Sequence, residues 1–161
     1  MSIYMKLDGI KGNVTTQGYE GAIEIRHANL NFNRQVNTQV GNASNRLIGA
    51  ATLNPFRLEK IADSSSARLL GRMLTGKVIP KAEIFMCSSE GDKGFAHVSY
   101  TLFNVIVKNI YTLMKDISTL PKEEIILDFT KIEISFSLSD ALNKAAKKEV
   151  LAYDLATSMI V

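Results

Sequence analysis

The chain has 161 residues and a mass of 17.8 kDa, the size of one ordinary domain, and we expect a single domain over residues 1–161. Hydrophobic residues make up 46% of it and charged residues 22%, a balance that excludes a disordered chain and disfavours a membrane-spanning one. The net charge of +3 is too small to indicate nucleic-acid binding. The single cysteine, Cys87, cannot form an internal disulfide, which favours folding in the cytoplasm.

The first part of the chain predicts β-strands in which apolar and polar residues alternate. The apolar residues are odd-numbered in segments 3–7 and 23–25 and even-numbered in segment 30–32. A strand with one core face cannot change parity without a bulge or bend, so the slip predicts a strand that turns a corner between two sheets. The same slip recurs at two later places, between 98–102 and 103–107 and between 127–129 and 132–138.

One segment in the middle of the chain predicts an α-helix. Asp63 and the serines 64–66 supply capping residues, and Gly76 lies where a helix would stop. Anion binding at the serines is the weaker alternative, because they suit capping better. An apolar stripe follows at helical spacing, and we expect it to face the sheets with Leu70 and Leu74 buried; its members are Ala67, Leu70, Met73 and Leu74.

The remaining segments predict a hairpin, a long loop and an ambiguous C-terminal region. The turn at 90–94 joins two apolar runs, and Glu123–Glu124 is expected in a solvated turn after Pro121. The polar stretch 37–49 predicts a long exposed loop, which in a compact domain is usually functional. Residues 140–149 predict a loop or short helix, followed by a final strand.

The sequence contains no recognisable catalytic, cofactor or metal site. Its two histidines, His27 and His97, are scattered, and a buried structural role for Cys87 is favoured over a catalytic pair with His97. The single basic cluster lacks the interleaved aromatic residues of a nucleic-acid platform: Lys144, Lys147 and Lys148. We therefore expect no enzymatic activity, no cofactor, no metal and no nucleic acid as a partner.

Several motifs occur in the order typical of one family, the haemolysin-coregulated (Hcp) proteins of type VI secretion tubes. The chain resembles this family in its opening strand with the pattern x-K-[ILV], in the approach to the helix, in the strand after it and in a final [WY]-[DN]-[LI] motif; these are 3–12, 56–66, 80–84 and 153–155. Residues 100–107 and 107–114 resemble its long hairpin, and 127–132 resembles a late strand.

The resemblance implies a mainly β fold, a small β-barrel of two antiparallel sheets with one α-helix packed on the outside. It also implies a structural subunit that forms homohexameric rings, which stack into a tube. A spike protein at the tube tip, a contractile sheath and effector proteins in the lumen would be its partners. The subunit would be cytoplasmic before firing and then secreted without a cleaved signal peptide, with no insertion into a membrane.

The same resemblance makes the loop at 37–49 a candidate for contacts between subunits. We expect Val40, Leu47 and Ile48 to be its apolar anchors and Arg46 its polar one, because a few such residues carry most interface energy. Three other functions stay open from the sequence: a bacteriophage tail-tube-like protein, a monomeric β-barrel that binds a small ligand, and a hydrolase that uses Cys87 or His97.

Overall fold

The structure is a computed structural model and describes residues 1–41, 45–88, 96–115, 117–139 and 145–161, without the side chains of residues 48, 138–139 and 145–147. These residues form one α-helix and twelve β-strands: β1 (Ser2–Leu7), β2 (Ile23–Ile25), β3 (His27–Asn29), β4 (Phe32–Val36), β5 (Leu47–Leu53), β6 (Phe56–Ile61), α1 (Ser66–Thr75), β7 (Ile79–Cys87), β8 (Ala96–Leu113), β9 (Lys122–Asp128), β10 (Lys131–Ser139), β11 (Ala145–Asp154) and β12 (Met159–Ile160).

Two antiparallel sheets share the long strand β8, and a third pair stands apart. The first sheet has the order β12-β11-β10-β8-β7-β1-β2, and the second has the order β3-β6-β9-β8. Strands β4 and β5 pair only with each other. This confirms the mainly β fold with one helix. Among the described strands the first sheet ends at β2 and at β12, so the two sheets do not close into the barrel that the resemblance implies.

The corner of β8 lies at Asn104, where the parity slip predicts one. The first half of β8 pairs with β7 and β10, and its second half pairs with β9. Asn104 has a φ of 53°, and its Nδ2 donates to Oγ1 of Thr130 at 2.9 Å. Leu102 before the bend and Val105 after it are both fully buried. The residues that face the core are therefore even-numbered before the bend and odd-numbered after it. The expectation of a hairpin at 100–114 is wrong, because this stretch is one continuous strand.

The other two slips are also corners between the sheets. Arg26 separates β2, in the first sheet, from β3, in the second, and its backbone N–H donates to the Glu59 carbonyl at 2.7 Å. Phe129 and Thr130 connect β9 to β10, again crossing from one sheet to the other. Apolar residues of both sheets then meet in one buried cluster, which includes Leu58 of the second sheet and Ile84 of the first.

The helix α1 forms where the sequence predicts it, but a different face is buried. Gly76 ends the helix with a φ of 63°, and its N–H donates to the Met73 carbonyl at 3.3 Å. Leu69 is 1% exposed, whereas Leu70 is 44% and Leu74 is 71% exposed, so the expectation that Leu70 and Leu74 are buried is wrong. Leu69 and Met73 are spaced i, i+4, as are Leu70 and Leu74. Helical spacing alone therefore cannot tell which of these two pairs faces the core.

Two other expectations are corrected by strand pairing. Residues 47–49 belong to strand β5, so the exposed connection is shorter than predicted. Residues 145–149 belong to β11, which pairs with β10, so they are neither loop nor helix. Pairing with a neighbouring strand outweighs the helix propensity of this Ala- and Lys-rich stretch. The predicted turn at 90–94 and residues 140–144 lie outside the described residues.

Glu123 is not in a solvated turn, as predicted, but in strand β9, where it is 8% exposed. Its Oε2 accepts hydrogen bonds from Lys60 Nζ and Ser66 Oγ, both at 2.8 Å. Lys60 also pairs with Asp63 Oδ1 at 2.9 Å, and its side chain has no exposed surface. The prediction that the serines cap the helix is wrong for the N-cap residue Ser65, which makes no side-chain capping hydrogen bond. Ser65 instead donates to Asp63, and Ser66 joins the buried cluster.

Candidate subunit-interface surfaces

The β4–β5 hairpin projects from the two sheets and is held mainly by its own pairing. All five residues of β4 are exposed. Backbone N–H groups close the hairpin at both ends, from Asn37 to the Arg46 carbonyl at 2.9 Å and from Asn54 to the Asn31 carbonyl at 3.0 Å. A two-stranded ribbon is only marginally stable in water. A hairpin of this kind is suited to packing against another surface.

Of the four residues predicted as interface anchors, three have described side chains, and all three are exposed. Val40 is 105% and Leu47 is 56% exposed, and Arg46 is exposed beside them. The side chain of Ile48 lies outside the described residues. Strand register places Val36, itself 51% exposed, opposite Leu47, so two apolar side chains meet near the hairpin tip.

The sequence analysis missed two exposed apolar residues of this hairpin, Phe32 and Val36. Phe32 is 48% exposed and pairs with Leu53 at the hairpin base. The alternation around Phe32 predicts a strand with one apolar face. It does not show whether other residues of the same chain bury that face. The sequence does not indicate that β4 pairs only with β5, and this pairing is what leaves the two residues exposed.

A second exposed apolar surface lies on helix α1. It consists of Leu70, Leu74 and, three residues past the helix, Val78, which is 46% exposed. The segment from Ser66 to Val78 carries three cationic residues and no Asp or Glu. Two of these, Arg68 and Arg72, lie on the opposite side of α1 and reach Gly9, so the exposed face of Leu70 and Leu74 is apolar, which is typical of a contact surface rather than of an isolated helix on water.

Further exposed apolar side chains lie at the β8–β9 connection and along the C-terminal strands. The first group combines residues at the end of β8 with its connection to β9: Tyr111, Met114, Ile117 and Leu120. The second group lies on β10, β11 and β12 and beyond: Phe136, Val150, Leu151, Met159, Ile160 and Val161. Single exposed apolar residues are ordinary, but groups on several different sides of one small domain indicate several contacts.

The surface area of the chain supports the same interpretation. Its accessible surface is 10432 Å². A compact monomer of 17.8 kDa is expected to expose about 8,000 Å². The excess of about 2,400 Å² is roughly three times the area that one standard interface buries on each partner, about 800 Å². The chain thus exposes more surface than a compact monomer of its mass.

The structure gives Cys87 a structural environment. Its side chain is buried and hydrogen-bonded to Tyr19, whose ring packs against Tyr4 and Phe85 at centroid distances of 5.0 and 5.4 Å. Burial raises the pKa of the Cys87 thiol, and the hydrogen bond from Tyr19 offsets this only in part. Burial also raises the pKa of Tyr19. A buried neutral thiol is a poor nucleophile.

The described part of the chain contains no cluster of three or more His, Cys, Asp or Glu side chains placed to hold a metal ion. No buried side-chain polar atom in the same ranges lacks a hydrogen-bond partner. The basic cluster of the sequence analysis falls mostly outside the described side chains, since Lys144 and Lys147 are among those excluded. What the geometry offers is a set of surfaces for protein contacts.

The architecture is that of a mainly β protein with two antiparallel sheets, one helix and a hairpin that pairs only with itself. The sequence profile of the family described as "Type VI secretion system effector, Hcp" matches residues 4–136. The chain therefore belongs to the Hcp family of type VI secretion proteins, a family of tube proteins and not of enzymes. A comparison with curated proteins gave no match.

Solved structures show the same fold at low sequence identity. A structure described as that of a type six secretion system protein has a TM-score of 0.92 at 23% identity, over 99% of both chains. Hcp1 from Salmonella typhimurium has a TM-score of 0.79 at 18% identity, over 99% of this chain and 98% of that one. A type VI secretion system effector from Yersinia pestis follows at 0.75 and 19%, over 94% and 98%.

A search of the helices among the described residues found none with the length and apolarity needed to cross a membrane.

Proposed function

We propose that this protein is the structural subunit of a type VI secretion tube, in which six copies form a ring, rings stack, and effector proteins travel in the lumen. Family membership supports the tube. The observation that carries the assembly is that separate exposed apolar surfaces lie on the β4–β5 hairpin, on α1 and along the C-terminal strands.

The separation of these surfaces favours a ring over a symmetric dimer. A two-fold dimer uses one self-complementary patch, whereas a ring needs two different patches that meet head to tail. Stacking of rings requires further contacts along the tube axis. A chain with several exposed apolar groups and about 2,400 Å² of surface in excess of a compact monomer has room for all of these.

Within this assembly the hairpin would reach across to a neighbouring subunit. Val40, Leu47 and Ile48 would supply apolar contact and Arg46 a hydrogen-bonding fork, as proposed from the sequence. Val36 joins them because the register sets it opposite Leu47. Burial of such side chains on both partners would give the marginal β4–β5 ribbon the cover that its own chain does not provide.

The other partners follow from the proposed tube. A spike protein would cap its tip, a contractile sheath would surround it, and effectors would fill its lumen, with no role for nucleic acid or for membrane insertion. The subunit would be made in the cytoplasm and leave the cell with the tube, without a cleaved signal peptide.

The test combines particle images with the mass in solution. Purified wild-type protein should give ring-shaped particles in negative stain and a mass roughly six times the 17.8 kDa of one chain. A double variant, Val40→Asp with Leu47→Asp, should keep the wild-type melting temperature and lose stacking or ring formation. Thr38→Asp adds a charge to the same exposed connection and serves as the control.

Two results would contradict the proposal. A wild-type protein that stays monomeric at high concentration would favour the ligand-binding alternative. A double variant that still assembles and is secreted normally would contradict the proposed role of the hairpin, independently of the proposed tube function.

A further inference from the structure

The buried charge cluster at the start of helix α1 joins three elements through one lysine. Lys60 lies on β6 at an inward-facing position, after the buried Phe56 and Leu58 on the same strand face. Its Nζ lies 2.8 Å from Glu123 Oε2 of β9 and 2.9 Å from Asp63 Oδ1 of the turn before α1. The alternation of buried and exposed residues in β6 would place an apolar side chain at position 60. A lysine there indicates a specific role for its charge.

Ser66, the first residue of α1, is built into this cluster. Its Oγ accepts from Lys60 Nζ at 3.0 Å and from the Asp63 backbone N–H at 3.0 Å, and it donates to Glu123 Oε2 at 2.8 Å. Lys60 Nζ also donates to the Ile61 carbonyl at 3.0 Å. The beginning of the helix is thereby fixed to the β6–β9 ladder by the hydrogen bonds of Ser66 to the charged groups of Lys60 and Glu123, while Ser64 Oγ separately donates to Asn13 Oδ1.

The rest of the helix is held less firmly. Leu69 is its one fully buried residue, Met73 is half-buried, and the face with Leu70 and Leu74 is exposed. A segment with few buried apolar contacts is the kind that opens locally while the remaining structure stays folded. The charge cluster is therefore the main tie between the N-terminal turn of α1 and the sheets.

We propose that the cluster of Lys60, Asp63, Ser66 and Glu123 is an acid-releasable latch on helix α1. Proton uptake by Asp63 and Glu123 leaves the Lys60 cation buried without a counter-charge, a state that costs far more than the paired one. The start of the helix then detaches from β6 and β9, Lys60 gains access to water, and the two sheets stay folded. The latch belongs to the single chain and goes beyond the proposed tube function.

The charged groups around the latch indicate where in pH it opens. Glu24 and Arg26 line the cleft beside Asp63 and pair with each other at 3.7 Å, and Glu124 points to the other face of β9, where it pairs with Arg57 at 3.2 Å. Histidine does not take part in any of these contacts. The pH at which the latch opens is therefore set by carboxyl groups, and it lies well below neutral pH.

The sign of the effect follows from Asp63. Burial pushes the pKa of this carboxyl upward, but hydrogen bonds from Ser65 and Lys60 outweigh burial and hold the pKa below its ordinary value. A carboxyl with a lowered pKa in the folded state stabilises that state above its unfolded pKa of about 3.9, and the stabilisation is lost as pH falls through the folded pKa. The latch should thus be closed at neutral pH and should open only below about pH 3.9, as the pH falls through the lowered pKa of Asp63.

Hydrogen exchange of the backbone amides, read by mass spectrometry and corrected for the intrinsic pH dependence of exchange, tests this. Glu123→Gln removes one of the two counter-charges of Lys60 at neutral pH and should speed exchange in α1 by about a hundredfold, with β7 and β8 unchanged. Glu124→Gln makes the same chemical change one residue away, on the exposed pair, and should leave α1 as in the wild type. In the wild type, α1 should lose protection at a higher pH than the sheets do.

A second variant keeps the proposal falsifiable if Glu123→Gln folds poorly. Lys60→Met with Asp63→Asn and Glu123→Leu removes all three charges of the cluster, and protection of α1 should then no longer depend on pH through the latch. Three results would overturn the latch: equal behaviour of Glu123→Gln and Glu124→Gln, loss of helix and sheet protection at the same pH in the wild type, or an unchanged pH dependence in this uncharged variant.

Discussion

The two sheets and the β4–β5 hairpin are built from the same kinds of residues and differ in what covers them. In the sheets, residues such as Met5, Leu102 and Leu127 have no exposed surface. In the hairpin, Phe32, Val36 and Leu47 are about half exposed. The sheets bury their apolar face within one chain and are stable by themselves. The hairpin leaves its apolar face uncovered by its own chain, so under the proposed function this face is buried only on assembly.

The largest contrast in stability should lie between a core leucine and a hairpin leucine. Leu102→Ala removes a side chain with no exposed surface and should lower the free energy of unfolding by about 2–5 kcal/mol. Leu47→Ala should change it by about 0.5 kcal/mol or less, because that side chain is largely hydrated. Urea unfolding of both variants measures the difference. Equal losses would mean that the hairpin is part of the folded core.

Helix α1 repeats the contrast within a single turn. Leu69→Ala should cost about 2–4 kcal/mol, because Leu69 belongs to the buried cluster. Leu70→Ala should cost less than about 1 kcal/mol in the isolated chain and should weaken assembly if the α1 face is a contact. Melting temperatures and assembly can be followed on the same samples. The reverse order would restore the helix orientation predicted from sequence.

The bend at Asn104 tests whether the corner of β8 depends on local backbone geometry. A β-branched residue is strained at a φ of 53°, so Asn104→Val should lower stability by about 1–3 kcal/mol. Asn104→Gly relieves that restriction and loses only the hydrogen bond to Thr130, so it should stay within about 1 kcal/mol of the wild type. If thermal melts show Val and Gly to be equivalent, the corner is set by packing alone.

The smallest effect should come from the exposed ion pair. Arg57 and Glu124 lie on the same β6–β9 ladder as Lys60 and Glu123 but face water, with the arginine side chain 62% exposed. Arg57→Ala should therefore change stability by less than about 1 kcal/mol, and the change should shrink in high salt. Chemical denaturation at low and high salt measures both. A loss comparable to that of Leu102→Ala would contradict this assignment of the exposed face.

Much of the fold was predictable because it depends on local patterns. Alternation located strands on both sides of the helix, and the parity slips located all three corners, since a change of parity forces a bend wherever one core face is kept. Capping residues and Gly76 bounded the helix to within a few residues. The ordered motifs indicated the Hcp family, which the match over residues 4–136 confirms.

The exposure of the proposed interface was predictable for the region and less so for its individual residues. Val40, Arg46 and Leu47 are exposed as the polar loop implied. Phe32 and Val36 were missed because exposure depends on which strand pairs with which, and the sequence does not state that β4 pairs with β5 alone.

The sequence by itself determined the class of fold, the places where strands bend and the extent of the helix, because these follow from periodicity and turn chemistry over a few residues. The tertiary structure alone decided which face of α1 is buried, which apolar residues stay uncovered and why a lysine is buried. Lys60 and Glu123 are 63 residues apart in the chain and 2.8 Å apart in space. No local pattern encodes such a pair, since its energy exists only once β6 and β9 lie side by side.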